Sequence, residues 1–189
     1  RAVIAEGFTF HNVERVAQAA ADYWNSNPFA AQERKVVVGY DRRFLSDQFA
    51  RRTAEVLAGN GFQVLLTNEP TPTPAVSFAV KAEEAVGGVM ITASHNPSEY
   101  NGFKVCVGKE TLYGAQIQDL RARIERQEFR DKPKGRREGY PIIPPYQEHV
   151  LRDIPRVSLP LKVVVDAGSG VAGPVAPPII RQVGCTVWE

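Results

Sequence analysis

Apolar residues along this chain fall into short β-branched runs, separated by stretches in which they recur every three or four positions. That alternation predicts strands and helices in turn. Val13, Ala17, Ala20 and Trp24 share one helical face and predict a helix over 13–26. Asn12 is placed to cap it and Glu14 to meet the dipole of its first turn, although Arg15 leaves the capping box incomplete. Lys35–Tyr40 is a β-branched run suited to a doubly covered parallel strand. Ser46 is expected to cap a second helix that carries Phe49, Thr53, Val56 and Leu57 on one face and stops at Gly59-Asn60-Gly61. A strand over 62–66 follows. Pro70, Pro72 and Pro74 withhold three amide donors and then lead into a helix over 75–83, since proline is tolerated in a first turn.

Two further strands are expected at 86–92 and 103–107, joined by a polar loop. Ile117, Leu120 and Ile124 predict another amphipathic helix, with Asp119 and Arg123 spaced to pair on its wet side. Residues 128–145 change character: Arg130, Lys132, Lys134, Arg136 and Arg137 stand among Pro133, Gly135, Pro141, Pro144 and Pro145, as expected of a connection between domains. A short helix over 145–154 and a strand over 161–166 then open a second unit. The expected organisation is a first domain over 1–140, a connecting segment with a short helix over 141–160, and the start of a second domain over 161–189. The fold class is α/β: a three-layer domain with a mixed sheet covered by helices on both faces, followed by the first βαβ segment of a second similar domain.

Composition changes this picture little. The 189 residues are 43% hydrophobic and 23% charged with a net charge of +2, so bulk charge gives no reason to expect nucleic acid or a membrane surface as a partner. The basic run near Arg136 and Arg137 lacks the interleaved aromatics that base stacking uses. No apolar run approaches the length that spans a bilayer and no leader opens the chain, so a cytoplasmic location is expected. Cys106 and Cys185 lie apart in apolar runs and are read as buried reduced thiols. The chain opens on Arg1 and closes on Val187-Trp188-Glu189 where a strand finishes, which is read as a piece of a longer enzyme.

The chemistry concentrates in the loop between the strands at 86–92 and 103–107. Thr92-Ala93-Ser94-His95-Asn96-Pro97, followed by Tyr100-Asn101-Gly102-Phe103-Lys104, gathers a hydroxyl, an imidazole and an amine around one tight turn. A serine hydroxyl is a weak nucleophile unless a base, a neighbouring charge or a metal activates it, and His95 and Lys104 offer the first two. Asn96-Pro97 starts a turn, and Asn101-Gly102 permits the left-handed backbone that returns the chain to a strand. A serine-hydrolase reading fails, because Ser94 lacks the G-x-S-x-G elbow.

This stretch resembles the phosphoserine loop of the α-D-phosphohexomutases, the family of phosphoglucomutases and phosphomannomutases, which reads T-[AG]-S-H-N-P before a Tyr-Asn-Gly-Phe-Lys segment. Gly39-Tyr40-Asp41-Arg42-Arg43 resembles the family's G-x-D-x-R segment and makes Arg43 a supporting site residue. Arg1-Ala2-Val3-Ile4, with Phe8-Thr9 and Asn12, resembles the region of its Gly-x-Arg motif and makes Arg1 the corresponding active-site arginine, expected among the catalytic residues with Arg43. The resemblance implies interconversion of hexose 1-phosphate and 6-phosphate through a phosphoserine and a hexose 1,6-bisphosphate. Ser94 would donate and accept the phosphoryl group, His95 would contact it, and Lys104 would be the general acid/base; Asn96 and Asn101 would bind substrate or shape the loop. It also implies Mg²⁺ held by the Ser94 phosphate together with a D-G-D-x-D loop that this sequence does not contain. The partners implied are the hexose phosphate and further domains of the same polypeptide, with no nucleic acid or membrane. The chain by itself is expected to be inactive.

One competing motif remains. Gly168-Ser169-Gly170-Val171-Ala172-Gly173 fits G-x-G-x-x-G after a strand, with Glu189 about where a ribose-binding acid would fall, and so allows a dinucleotide-binding module. Pro174, Pro177 and Pro178 crowd the helix start that such a module needs. The same strand–glycine–helix pattern also resembles the structural opening of the mutases' second domain.

Overall fold

The computed structural model describes residues 1–26, 34–108, 110–126, 135–159 and 161–189. A short β1 (Ala2–Val3) leads into α1 (Phe10–Asn25). Then β2 (Lys35–Tyr40), α2 (Ser46–Gly59), β3 (Gln63–Thr67), α3 (Thr73–Ala82) and β4 (Gly87–Ile91) alternate. β5 (Tyr100–Asn101), β6 (Phe103–Val107), β7 (Glu110–Thr111), α4 (Ala115–Arg126), β8 (Arg136–Tyr140) and α5 (Ile143–Asp153) follow. The last elements are β9 (Lys162–Val164), α6 (Ala176–Gln182) and β10 (Thr186–Trp188).

Six strands form one mixed sheet in the order β7-β6-β4-β2-β3-β8. β2 runs parallel to β3 and β4, β3 runs parallel to β8, and β6 returns antiparallel to β4. Side chains alternate across the strands as the two-residue period requires. Val36, Val38, Val64, Val89, Ile91 and Val105 enter one core with α1, α2 and Leu120 of α4, whereas Val37, Leu65 and Met90 enter the other with α3, Ile142 and Ile143. The result is the three-layer domain expected from the sequence. β9 and β10 pair in parallel across α6 as a separate βαβ unit, and Gln147 of α5 donates to the Pro174 and Val175 carbonyls beside it.

Gly87 shows how tightly the larger core closes. A Cβ there would lie 2.3 Å from the Cys106 carbonyl oxygen and 2.6 Å from Trp24 Nε1. Its absence lets the fully buried Trp24 donate its indole N–H to that carbonyl at 3.1 Å, so the ring's one polar group is satisfied inside the core.

Several expectations are corrected. α1 starts at Phe10, capped by Thr9, whose extended backbone lets its hydroxyl accept from the Asn12 amide; Asn12 donates its own side-chain amide to the Gly7 carbonyl instead of capping. Ser46 does not cap α2 either: left-handed Leu45 occupies that position without a side-chain bond, and the Ser46 hydroxyl is drawn into a buried network described below. α3 begins two residues before the expected start, with Pro72 at its cap. Within the stretch read as a connection, Arg136–Tyr140 is a strand on the edge of the sheet; Arg130, Lys132 and Lys134 lie outside the described residues. A run of Arg-Arg-Glu-Gly-Tyr has no apolar alternation because an edge strand needs only backbone pairing, and charges there discourage further strands from adding. Both cysteines are free thiols, but each is only partly buried; desolvation raises the Cys106 pKa.

Candidate active site

Open α/β sheets present their chemistry at the carboxyl ends of the parallel strands. Ser94 follows the end of β4, Asp41 and Arg43 follow the end of β2, and β6 starts its return from the same edge. The sheet therefore brings together the Ser94 loop and the Asp41-Arg42-Arg43 segment, which lie some fifty residues apart in sequence.

Ser94 sits in the left-handed region at φ 60°, a conformation that costs a non-glycine residue on the order of 1–3 kcal/mol and persists only where the surroundings enforce it. Its amide donates to Thr92 Oγ1 at 2.9 Å, the Asn96 amide donates to the Ala93 carbonyl, and the Thr92 amide donates to the Gly102 carbonyl at 2.9 Å. The hydroxyl is half exposed and lies 3.2 Å from His95 Nδ1, with the imidazole itself exposed. A Ser94 oxygen open to solvent beside an imidazole is able to meet an incoming anionic group.

Arg43 spans this loop. Its Nη1 donates to the carbonyls of Pro97 (2.7 Å) and Tyr100 (3.1 Å), and its Nη2 donates to those of Ser94 (2.8 Å) and Asn96 (2.7 Å). Nε faces Asp41 Oδ2 at 3.4 Å. Asp41 Oδ1 accepts from the Arg43 amide at 3.0 Å and from Ser46 Oγ at 2.9 Å. Asn101, fully buried, donates to Ser46 Oγ at 2.9 Å and accepts from the Gly102 amide at 2.8 Å. One chain of bonds thus runs from the end of β2 through the first residue of α2 to both ends of the loop.

Arg1 arrives by a pairing that the sequence reading did not anticipate. β1 lies antiparallel to β5, Ala2 opposite Asn101 and Val3 opposite Tyr100, and Arg1 Nη1 donates to Asn96 Oδ1 at 3.2 Å. A Cβ on Gly102 would stand 2.8 Å from Arg1 Cγ, so glycine is what allows this approach. Lys104 lies on β6 opposite Met90, half-exposed, and its side-chain amine makes no hydrogen bond or ion pair with a described residue. The structure accordingly links Arg1, Arg43, Ser94, His95, Asn96 and Asn101 through one bonded network and leaves Lys104 as an amine without a partner among the described residues on the neighbouring strand. Asp41 and Ser46 belong to that network and were not singled out from sequence as site residues. The signal for Asp41 was present in the G-x-D-x-R pattern; Ser46 looked like an ordinary helix cap.

The glycine-rich segment is built differently. The Gly168 amide donates to Asp166 Oδ1, the Gly170 amide to the Ala167 carbonyl and the Gly173 amide to the Gly170 carbonyl. All three glycine donors are therefore used within the loop. α6 starts only at Ala176, spans seven residues, and carries prolines in its first turn, so it lacks the free amides a pyrophosphate would need. Glu189 is paired with Arg181.

Among the described residues no helix is long and apolar enough to cross a membrane. The family described as "Phosphoglucomutase/phosphomannomutase, alpha/beta/alpha domain I" matches residues 1–131. A phosphomannomutase/phosphoglucomutase of Pseudomonas aeruginosa is 40% identical over 174 residues, covering 89% of this chain and 37% of that protein. A phosphoglucomutase of Neisseria gonorrhoeae is 34% identical over 156 residues, covering 82% of this chain and 34% of that protein. The crystal structure of a phosphoglucomutase/phosphomannomutase family protein from Burkholderia thailandensis superposes with a TM-score of 0.86 at 31% identity, covering 100% of this chain and 41% of that one. The chain spans a little over a third of the length of these curated relatives.

Proposed function

The chain belongs to the phosphoglucomutase/phosphomannomutase family, and on that premise we propose that it supplies the phosphoserine side of a phosphohexomutase active site. The observation that carries this reading is the half-exposed Ser94 hydroxyl, held in a left-handed turn beside His95 at the carboxyl edge of the sheet. In the proposed reaction a phosphoryl group on Ser94 Oγ passes to a free hydroxyl of a hexose monophosphate. The bond from phosphorus to Ser94 Oγ breaks as the bond to the sugar oxygen forms, the sugar hydroxyl gives up its proton to a base, and the Ser94 oxygen recovers one when it is not rephosphorylated. Return of the other phosphoryl group of the hexose 1,6-bisphosphate to Ser94 completes the interconversion of the 1- and 6-phosphates.

Catalysis of such a transfer rests on alignment and on neutralising spread negative charge. His95 is proposed to contact the transferring group, since its Nδ1 already lies beside the nucleophilic oxygen. Lys104 is proposed as the general acid/base, a role favoured by its lack of any structural partner among the described residues. Arg1, through Asn96, and Asn101, through Ser46 and Gly102, shape the loop. Among the described residues no group of three or more His, Cys, Asp or Glu side chains is placed to hold a metal. This chain's described residues therefore do not make a Mg²⁺ site by themselves; its one contribution would be the phosphate oxygens on Ser94. The division into a domain over 1–140, a connection over 141–160 and the opening of a second domain over 161–189 is part of the same proposal, as is the need for further domains to complete the cleft. A cytoplasmic enzyme acting on a soluble sugar phosphate is the matching setting.

The test is intact-mass and peptide analysis of the full-length polypeptide that carries this sequence, after incubation with a hexose 1,6-bisphosphate. One phosphoryl group is expected on Ser94, with turnover and labelling both lost in Ser94→Ala. Undiminished turnover in that variant would overturn the reading.

A further inference from the structure

We propose that Arg43 is a positioning residue that sets the reacting geometry of Ser94 by gathering the loop's carbonyl groups, and that it is not a contact for the transferring phosphoryl group. The inference rests on the phosphoserine reading of Ser94 and adds a role for the arginine next to it. A guanidinium has five N–H donors and no acceptor. Here Nη1 and Nη2 direct their four at the carbonyls of Ser94, Asn96, Pro97 and Tyr100, and Nε faces the Asp41 carboxylate. No donor remains for an incoming phosphate, although the charge stands next to the site.

The four carbonyls belong to residues on both sides of the turn, so one rigid planar group ties the strand-exit and strand-return halves together. Asp41 fixes that plane from behind and is itself held by Ser46, which Asn101 holds in turn. Lysine carries its three donors on one nitrogen at the end of a flexible stem and cannot span two pairs of carbonyls in this fork. With Arg43 removed, the turn keeps the bonds from the Ser94 amide to Thr92, from the Asn96 amide to Ala93 and from the Tyr100 amide to Pro97, with the Ser94–His95 contact, the Ile4 amide on the Glu99 carbonyl and the Arg1 side chain on Asn96, but none of these engages the Ser94 carbonyl. Ser94 is then free to leave its left-handed conformation, which moves the nucleophile without altering the groups that bind sugar.

The experiment compares wild type, Arg43→Lys and Arg43→Met in the full-length polypeptide, measuring kcat, KM for the hexose monophosphate, Ser94 phosphorylation by hexose 1,6-bisphosphate, and amide hydrogen exchange over 93–102. Displacement of a reacting atom by about 1 Å costs on the order of a hundredfold in rate, so kcat is expected to fall about ten- to a hundredfold in Arg43→Lys. KM should stay within about twofold, because uniform binding contacts are untouched. Exchange should speed up over 93–102 and nowhere else in the sheet. An unchanged kcat, or a KM raised about tenfold with kcat retained, overturns the inference; the latter marks Arg43 as a phosphate contact. If Arg43→Lys fails to fold, Asp41→Asn, which leaves the four carbonyl bonds in place but releases Nε, should lower kcat in the same direction, and an unchanged kcat there is equally decisive. A wild-type protein that takes no phosphoryl group on Ser94 sinks the functional reading instead, and exchange over 93–102 in Arg43→Lys then still decides whether the clamp exists.

Discussion

Replacing Asn101 by aspartate tests the buried network that supports the loop, because the exchange preserves shape and removes one donor. Asn101 is fully buried; its Oδ1 accepts from the Gly102 amide and its Nδ2 donates to Ser46 Oγ, whose single proton goes to Asp41 Oδ1. An ionised aspartate introduced at this position still accepts from Gly102, but its second oxygen faces Ser46 with no proton between them, and Ser46 has none to spare. Losing a buried hydrogen bond and stranding its acceptor costs about 1–3 kcal/mol, with the enclosed charge near Asp41 adding to it. For a chain of this length that corresponds to roughly a 2–12 °C fall in Tm at pH 8. The deficit should shrink near pH 5. Once protonated, the introduced carboxyl regains an O–H that donates to Ser46; a carboxyl raised by burial contributes fully below its unfolded pKa of about 3.9 and loses that contribution as pH rises through its folded pKa, so part of the deficit is recovered near pH 5. Thermal unfolding of wild type, Asn101→Asp and Asn101→Ala between pH 5 and 8 measures this. The alanine variant should show a deficit that barely changes with pH, since it cannot supply the donor at either end. Equal deficits for the aspartate variant at pH 5 and pH 8, or none at all, would refute the assigned donor directions.

Two further outcomes follow from the core and the sheet edge. Burial, then the hydrogen bond to Glu83 at 3.1 Å and that carboxylate's charge, push the Tyr140 pKa from 10.0 up to about 12. The neutral phenol is therefore favoured in the fold, so its stabilisation is fully present below pH 10 and is lost as pH rises toward 12; urea unfolding of Tyr140→Phe should show a different pH dependence from wild type over that window and the same one below it. Gly87→Ala places a methyl group 2.3 Å from the Cys106 carbonyl and 2.6 Å from Trp24 Nε1, both held rigidly, and should lower unfolding free energy by about 1–3 kcal/mol or more by forcing β4 and β6 apart. A stability equal to wild type would mean that the two strands yield far more easily than their packing indicates.

Much of this protein was legible before any coordinates. The β-branched run at Lys35–Tyr40, the uncharged apolar run at Gly87–Ile91 and the helical spacing of Val13, Ala17, Ala20 and Trp24 report burial on two faces or on one, a property that local order along the chain must encode. The residues from Thr92 to Lys104 likewise showed a tight turn that groups a hydroxyl, an imidazole and an amine, because turn residues and polar groups are chosen by type at fixed spacing. What the chain could not show alone is who meets whom across long separations. Arg1 next to Asn96, Arg43 beneath four carbonyls of a distant loop, Ser46 as a link between Asp41 and Asn101 instead of a helix cap, and Arg136–Tyr140 as a strand all depend on which strands the folded sheet sets side by side. Hydrogen bonds to backbone carbonyls leave no mark on the partner's residue type, and edge pairing needs no hydrophobic pattern, so only the tertiary arrangement decides them.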